Sequence, residues 1–336
     1  MRRSRGFTII ELLVVVGIIA ILTSLVVTAV FRGMAQSKKT RELNRLRQIH
    51  VGWTVYANNN NDACVPGFVD PGVQAAWKLK YRYQDGNDLP PELAQTYLWR
   101  LAGYIGYAID PVLGGREDYQ FTLDTSEFLP PDVPVALPAE ILPGLAMAGA
   151  GAAFQPGFGY NAFYLGGWWS SASGVPQMRF VDGTYTESNG AVVRGRLVSR
   201  HVAGVQRPSE VIAFASSTYY GVGFHGDPDD FIPGAAWVTP NRLGSQDIWG
   251  FGGAILQGVD AAASFLDGGL VGGKQSLVGS YEVYVDGAAV PLRRYGELVA
   301  TGKVDGSTES IGLAGLTDMR RWIPAATTPN FTHTDN

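Results

Sequence analysis

The sequence predicts an α+β chain: a long N-terminal helix, apolar in its first half and amphipathic in its second, followed by a β-rich globular head. Three observations carry this. Between Phe7 and Phe31 the only charged residue in 25 is Glu11. The next 30 residues keep apolar side chains at three-and-four spacing, with no proline before Pro66. All 19 prolines and most of the 43 glycines come later, punctuating short β-branched and aromatic runs.

The first element is "FTIIELLVVVGIIAIL" and its continuation to Phe31. As a helix those residues reach about 37 Å, more than a bilayer core of about 30 Å. A cleaved secretory signal would also begin with a short basic segment. This run is longer than the usual signal core, carries an acid, and is not followed by an A-x-A-like site. A carboxylate inside a span costs a few kcal/mol and usually has a functional reason to be there. Arg2, Arg3 and Arg5 precede the span, while Arg32, Lys38, Lys39, Arg41, Arg45 and Arg47 follow it. The Lys/Arg count alone therefore favours a cytoplasmic C-terminal side.

The second element is "KKTRELNRLRQIHVGWTVYANNNND" (38–62). Leu43, Leu46, Ile49, Trp53 and Tyr56 fall on one helical face, and that stripe is expected to pack on the head. Asn58–Asp62 should end the helix, since Asn tolerates the left-handed position that closes one. A helix over 7–57 would be about 76 Å long. His50 reads as a helix-surface residue, and Gly17 and Gly33 as points of local loosening.

For the head, candidate strands are 158–165, 191–199, 210–217, 261–267 and 281–287, with helical signals at 91–104 and 310–322. A Pro/Ala/Gly-rich insertion is expected around 84–157, because prolines through 128–157 forbid a long regular element. Charge is unevenly shared. Residues 1–62 hold nine Lys/Arg and three Asp/Glu, a net of +6; the chain totals 26 and 30, leaving 17 and 27 in the head, a net of −10. An acidic head is a poor phosphate-backbone binder, so no nucleic acid partner is expected. Cys64, the single cysteine, cannot form an intramolecular disulfide and has no base near it in "NDACVPGF".

Chemistry is sparse. Asp227, Asp229 and Asp230 beside His225 invite a calcium reading, but the loop lacks the ligand spacing, and Asp-Pro with Gly is ordinary turn chemistry. Of four histidines, His50 is on the helix and His333 in a polar tail; His201 and His225 have no G-x-S-x-G nearby. "GGLVGGK" (268–274) lacks the spacing of a phosphate loop. No enzyme, cofactor or metal is expected. The aromatics of "YNAFYLGGWW" and "STYYGVGF" read chiefly as core.

The N-terminal pattern resembles the class III leader of type IV pilins and type II secretion pseudopilins. The resemblance implies a leader over 1–6 cut after Gly6 by a prepilin peptidase, and N-methylation of Phe7 by the same peptidase/methyltransferase. It implies a membrane and assembly segment over 7–30, an amphipathic helix over 31–62 and a pilin-like head over 63–336. Glu11, five residues into the mature chain, would pair with the amine of Phe7 in a neighbouring subunit. A carboxylate that is costly alone becomes tolerable, and selective for register, once paired. The implied partners are other pilin or pseudopilin subunits, the inner-membrane assembly machinery and membrane lipid. The implied location is the inner membrane as a single pass, N-terminus cytoplasmic, with the head periplasmic or in a surface filament. The leader outranks the charge count for orientation. The absence of a disulfide-bounded loop favours a pseudopilus over a pilus.

A second resemblance is to long pilin-like proteins with a C-terminal processing-associated motif. It rests on "LRQIHVGWTVYANNNNDACVPGF", "FGYNAFYLGGWW", "RPSEVIAFASS" and "LTDMRRW". That group's motif is His, nine residues, then Asp-Gly. Here Asp267-Gly268 is present, but Gln257 stands where the His would be, and Gly269 follows. The alternative function is a membrane-tethered, non-polymerising binder of glycan or protein through the head aromatics.

Overall fold

The computed structural model describes residues 9–81, 88, 90–91, 94–105, 157–172, 174–179, 181–187, 189–219, 237–238, 240 and 298–335, plus short strands between 242 and 290. It divides into two units, Met1–Arg41 and Glu42–Asn336. The fold is α+β, with one long helix preceding several small sheets.

Helix α1 runs from Ile9 to Asn59, 51 residues or about 76 Å. It stops where the sequence predicts. The Asp62 N–H donates back to the Ala57 carbonyl at 2.8 Å, and Asn61 and Asp62 adopt φ of 54° and 62°. Asn and Asp accept that left-handed geometry more readily than other side chains.

In the second unit, the last turns of α1 lie over a four-stranded antiparallel sheet. Its strands are β2 (Phe158–Tyr160), β7 (Ile212–Ser216), β8 (Val299–Lys303) and β9 (Thr308–Ile311), in the order β9–β8–β7–β2. Every residue of β7 is buried, as expected of a strand covered on both faces. On one face, Leu46, Ile49 and Trp53 of α1 pack with Phe158, Tyr160 and Phe214. Each fully buried apolar side chain of this size contributes about 1.5–3 kcal/mol. Phe163, Tyr164, Trp322, Ile323 and Phe331 belong to a second buried cluster.

Two smaller sheets flank this core. Strand β1 (Phe68–Val69) runs parallel to β3 (Trp168–Ala172), which pairs antiparallel with β4 (Val175–Arg179). Strand β5 (Asp182–Thr186) lies between β6 (Val192–Arg196) and β10 (His333–Asp335). Helix α2 (Pro71–Ala76) starts under an Asp70 cap: its carboxylate accepts from Val73 N at 2.7 Å and from Ser171 N. A further five-stranded sheet orders Ala254–Ile255, Trp249–Phe251, Val271–Gly273, Ala288–Val290 and Thr218–Tyr219.

Helix α3 (Tyr97–Ala102) falls within the helical signal expected at 91–104, and its Tyr97 and Leu101 are fully buried beside α1. Residues 106–156 of the expected insertion lie outside the described residues. Two expectations change. The polar tail ends in strand β10, with His333 buried and Thr334 exposed, and just before it Phe331 is buried and Thr332 exposed. The candidate strand 158–165 ends at Tyr160, because the chain turns through Ala162–Tyr164 to reach Gly166. Gly166 sits at φ 68°, and a Cβ there would collide with the Val65 carbonyl, so only glycine lets this turn close on the segment after α1.

Candidate membrane and assembly segment

From Ile9 to Met34 every described side chain of α1 is exposed. Isoleucine, leucine and valine occur all round the helix, so it has no polar face to turn to water. Such a helix is stable only when buried in protein or in a membrane. Among the described residues, α1 is the one helix long and apolar enough to cross a membrane, and none of its apolar window is buried.

Two of the hydroxyls there bond within the helix. Ser24 Oγ donates to the Ile21 carbonyl at 2.8 Å, and Thr28 Oγ1 donates to the Ser24 carbonyl at 2.7 Å. A hydroxyl needs such a partner in hydrocarbon, where water supplies none. Gly17 and Gly33 have no heavy atom within 4 Å of where a Cβ would stand. The helix runs through both without interruption. Glu11 lies in its first described turn and is exposed. The positive end of the helix dipole favours a carboxylate there. Gly6 and Phe7 lie outside the described residues.

In the second unit, two polar residues of α1 are sealed in: Glu42, which the sequence analysis did not single out, and His50, which it read as a surface residue. Glu42 is 1% exposed, and its carboxylate accepts from Ser216 Oγ at 2.5 Å. His50 is 2% exposed, not a surface residue. It stands four residues after Leu46 and three before Trp53, hence on the same stripe. Its ring meets Phe214 edge-on at 5.1 Å and Trp53 at 6.0 Å. Among the described residues, neither ring nitrogen has a well-formed hydrogen bond. Burial drives its pKa from 6.5 down to about 4, against the raising influence of the Gly302 backbone and Asp305. A Cβ at Gly302 would collide with His50 Nε2, so that glycine admits the imidazole.

The remaining candidates are not brought together. Ser199 Oγ donates to the backbone carbonyl of His201 at 2.8 Å, while the His201 ring approaches the Asn61 carbonyl at 3.3 Å. His333 is buried 3.0 Å from the Tyr164 hydroxyl. Burial pushes the Cys64 thiol up to about 12, where it is no nucleophile at neutral pH. Among the described residues no group of three or more His, Cys, Asp or Glu is placed to hold a metal. His225, Asp227–Asp230, Gln257 and Asp267-Gly268 lie outside those residues.

The aromatics divide. Tyr160, Phe163 and Tyr164 are core, whereas Trp168 and Trp169 are half-buried. Three fragments of the second resemblance meet at one side chain. Asn161 Nδ2, after Gly159-Tyr160, donates to the Ile212 carbonyl at 3.0 Å and to the Trp322 carbonyl at 2.8 Å. It thereby joins β2, the start of β7 and the "LTDMRRW" segment.

No curated protein and no solved structure matches the chain. One family does match, over residues 1–27: the prokaryotic N-terminal methylation motif, a structural pilin-type motif and not an enzyme family. The chain therefore opens with a prepilin-type N-terminal cleavage and methylation domain.

Proposed function

We propose that this protein is a structural subunit of a type II secretion pseudopilus or a related type IV pilus-like filament. It is cut after Gly6, methylated on Phe7, held in the inner membrane through residues 7–30 with its N-terminus cytoplasmic, and carries its head on the far side. The observation that supports this best is the methylation motif over residues 1–27 leading into a fully exposed apolar helix. An apolar surface of that length needs lipid or neighbouring helices to cover it, and a filament core supplies the second. Cys64 as single cysteine leaves no disulfide-bounded loop, which favours the pseudopilus.

Glu11 gives the assembly its register. Placed against the Phe7 amine of the next subunit it is neutralised; misplaced by one turn it is a buried, unpaired charge costing about 3–5 kcal/mol. Glu11→Lys should leave cleavage and membrane anchoring intact but abolish recovery of the protein in sheared filaments or in subunit cross-links. Incorporation of E11K at the wild-type level would overturn the assembly role. The tethered-binder reading through "YNAFYLGGWW" has weaker support, because Tyr160, Phe163 and Tyr164 are core residues.

A further inference from the structure

The cations flanking the apolar part of α1 are distributed against the usual bias. Arg2, Arg3 and Arg5 precede it, and cleavage after Gly6 would remove all three. Directly after it, the stretch 31–41 holds Arg32, Lys38, Lys39 and Arg41, and no acid lies between Glu11 and Glu42. Lys and Arg next to a span favour its cytoplasmic side. Four of them beyond the opposite face, unaccompanied by an acid, work against the proposed orientation and call for a compensating gain.

Local structure fixes their depth. Helix α1 continues through Phe31 to Arg41 without a break. A loop could carry its charges away from the membrane, whereas a helix holds them at set heights above the last apolar turn. Arg32 follows Phe31 directly, and Lys38 to Arg41 stand about 9–14 Å further along the axis. That is comparable to the screening length of about 8–10 Å at ordinary ionic strength, so all four lie within electrostatic reach of a surface at Phe31. Arg32 and Arg41 are exposed and Lys39 is half-buried. A long aliphatic stem lets such a side chain lie along the helix while its charged end stays at headgroup level. The next acid, Glu42, is buried.

We infer that Arg32, Lys38, Lys39 and Arg41 form a collar that binds the phosphate headgroups of anionic phospholipids at the far face of the membrane. The inference rests on the membrane-anchored reading above and names the lipid that the anchor prefers. Position and charge support it. Four or more Lys/Arg adjoining a span are drawn to an anionic surface, each adding about 5-fold in affinity when close to it. The arginine fork donates two parallel hydrogen bonds to a phosphate, and lysine acts as a point charge. This attraction offsets the cost of placing cations on that side. The acidic head of a second copy is a less apt partner, because the collar adjoins the apolar helix directly.

The test reconstitutes the full chain in phosphatidylcholine vesicles and measures, with spin-labelled lipids, its preference for phosphatidylglycerol over phosphatidylcholine. The expected result is a preference of about 3-fold or more, falling at least about 2-fold in R32Q/K38Q/K39Q/R41Q. Salt at about 1 M should suppress it, because surface attraction is screened. The charge-conserving R32K/R41K should retain it, as should R2Q/R3Q/R5Q, which removes the leader cations. Unchanged thermal melting of the head shows that each variant is folded. No preference in the wild type, a preference unchanged in the collar variant, or one abolished in R2Q/R3Q/R5Q would overturn the inference. So would salt-sensitive oligomers in phosphatidylcholine alone that the collar variant disperses, with no lipid preference, which would assign the collar to a second copy's head. A chain that does not insert into neutral vesicles would contradict the membrane reading and the collar with it. Insertion without lipid preference would contradict the collar alone.

Discussion

Within α1, the residues from Ile9 to Met34 present every described side chain to the outside, whereas Leu46, Ile49 and Trp53 of the same helix are sealed in the head's core. Backbone hydrogen bonding is the same in both stretches, so the difference comes from where the apolar residues fall. All round the helix, they leave no face for water and call for lipid or other helices. Confined to a stripe, they bury one side and leave Arg47, Gln48 and Val51 outside. The first stretch is open to partners, and the second is committed to its own head.

Substitutions that remove apolar volume should separate the two stretches most strongly. Trp53→Ala, with a fully buried indole, should destabilise the head by about 3–5 kcal/mol in thermal or denaturant unfolding. Leu25→Ala, in the exposed stretch, should leave the head's unfolding unchanged. An equal effect of both would break the comparison.

Next in size is acid. His50 is neutral in the folded head, with its pKa depressed to about 4 by burial, against 6.5 for an open histidine. Its contribution is complete above about pH 6.5 and is lost as pH falls towards 4, because only the unfolded chain takes up the proton in that window. The full loss is about 3 kcal/mol. Unfolding free energy measured from pH 7.5 to 4 should show this slope, and His50→Leu should flatten it.

Gly302→Ala places a methyl group against His50 Nε2 and should cost about 1–3 kcal/mol by overpacking. Gly33→Ala, with open space around it, should cost nothing in head stability. Smallest is the surface cluster in which Glu309 contacts Lys303 at 3.1 Å and Arg321 at 2.7 Å. Its partial burial raises the Glu309 pKa, but hydrogen bonds from Arg321 and Lys303 outweigh that and hold the carboxyl below its usual range. Being about a third exposed, it is screened, so Glu309→Gln should cost less than about 1 kcal/mol.

The helix was legible because its signals are local: an uninterrupted apolar run, a stripe, and an Asn-rich stop. His50 was misread because residue type was allowed to outweigh position, although its spacing from Leu46 and Trp53 already put it on the buried face. Strand β10 could have been found from the alternation of Phe331, Thr332, His333 and Thr334. The burial of Tyr97, the joining role of Asn161 and the space at Gly302 depend on chain segments tens to hundreds of residues apart. No local pattern reports such contacts.

The most direct test of the prepilin-type reading is the intact mass and N-terminal sequence of the protein from its native membrane, with and without the prepilin peptidase. The account predicts a chain beginning at methylated Phe7 when the peptidase is present, and the uncut chain from Met1 when it is absent. A chain still beginning at Met1 in the presence of the peptidase, or one cut beyond residue 25, would contradict it.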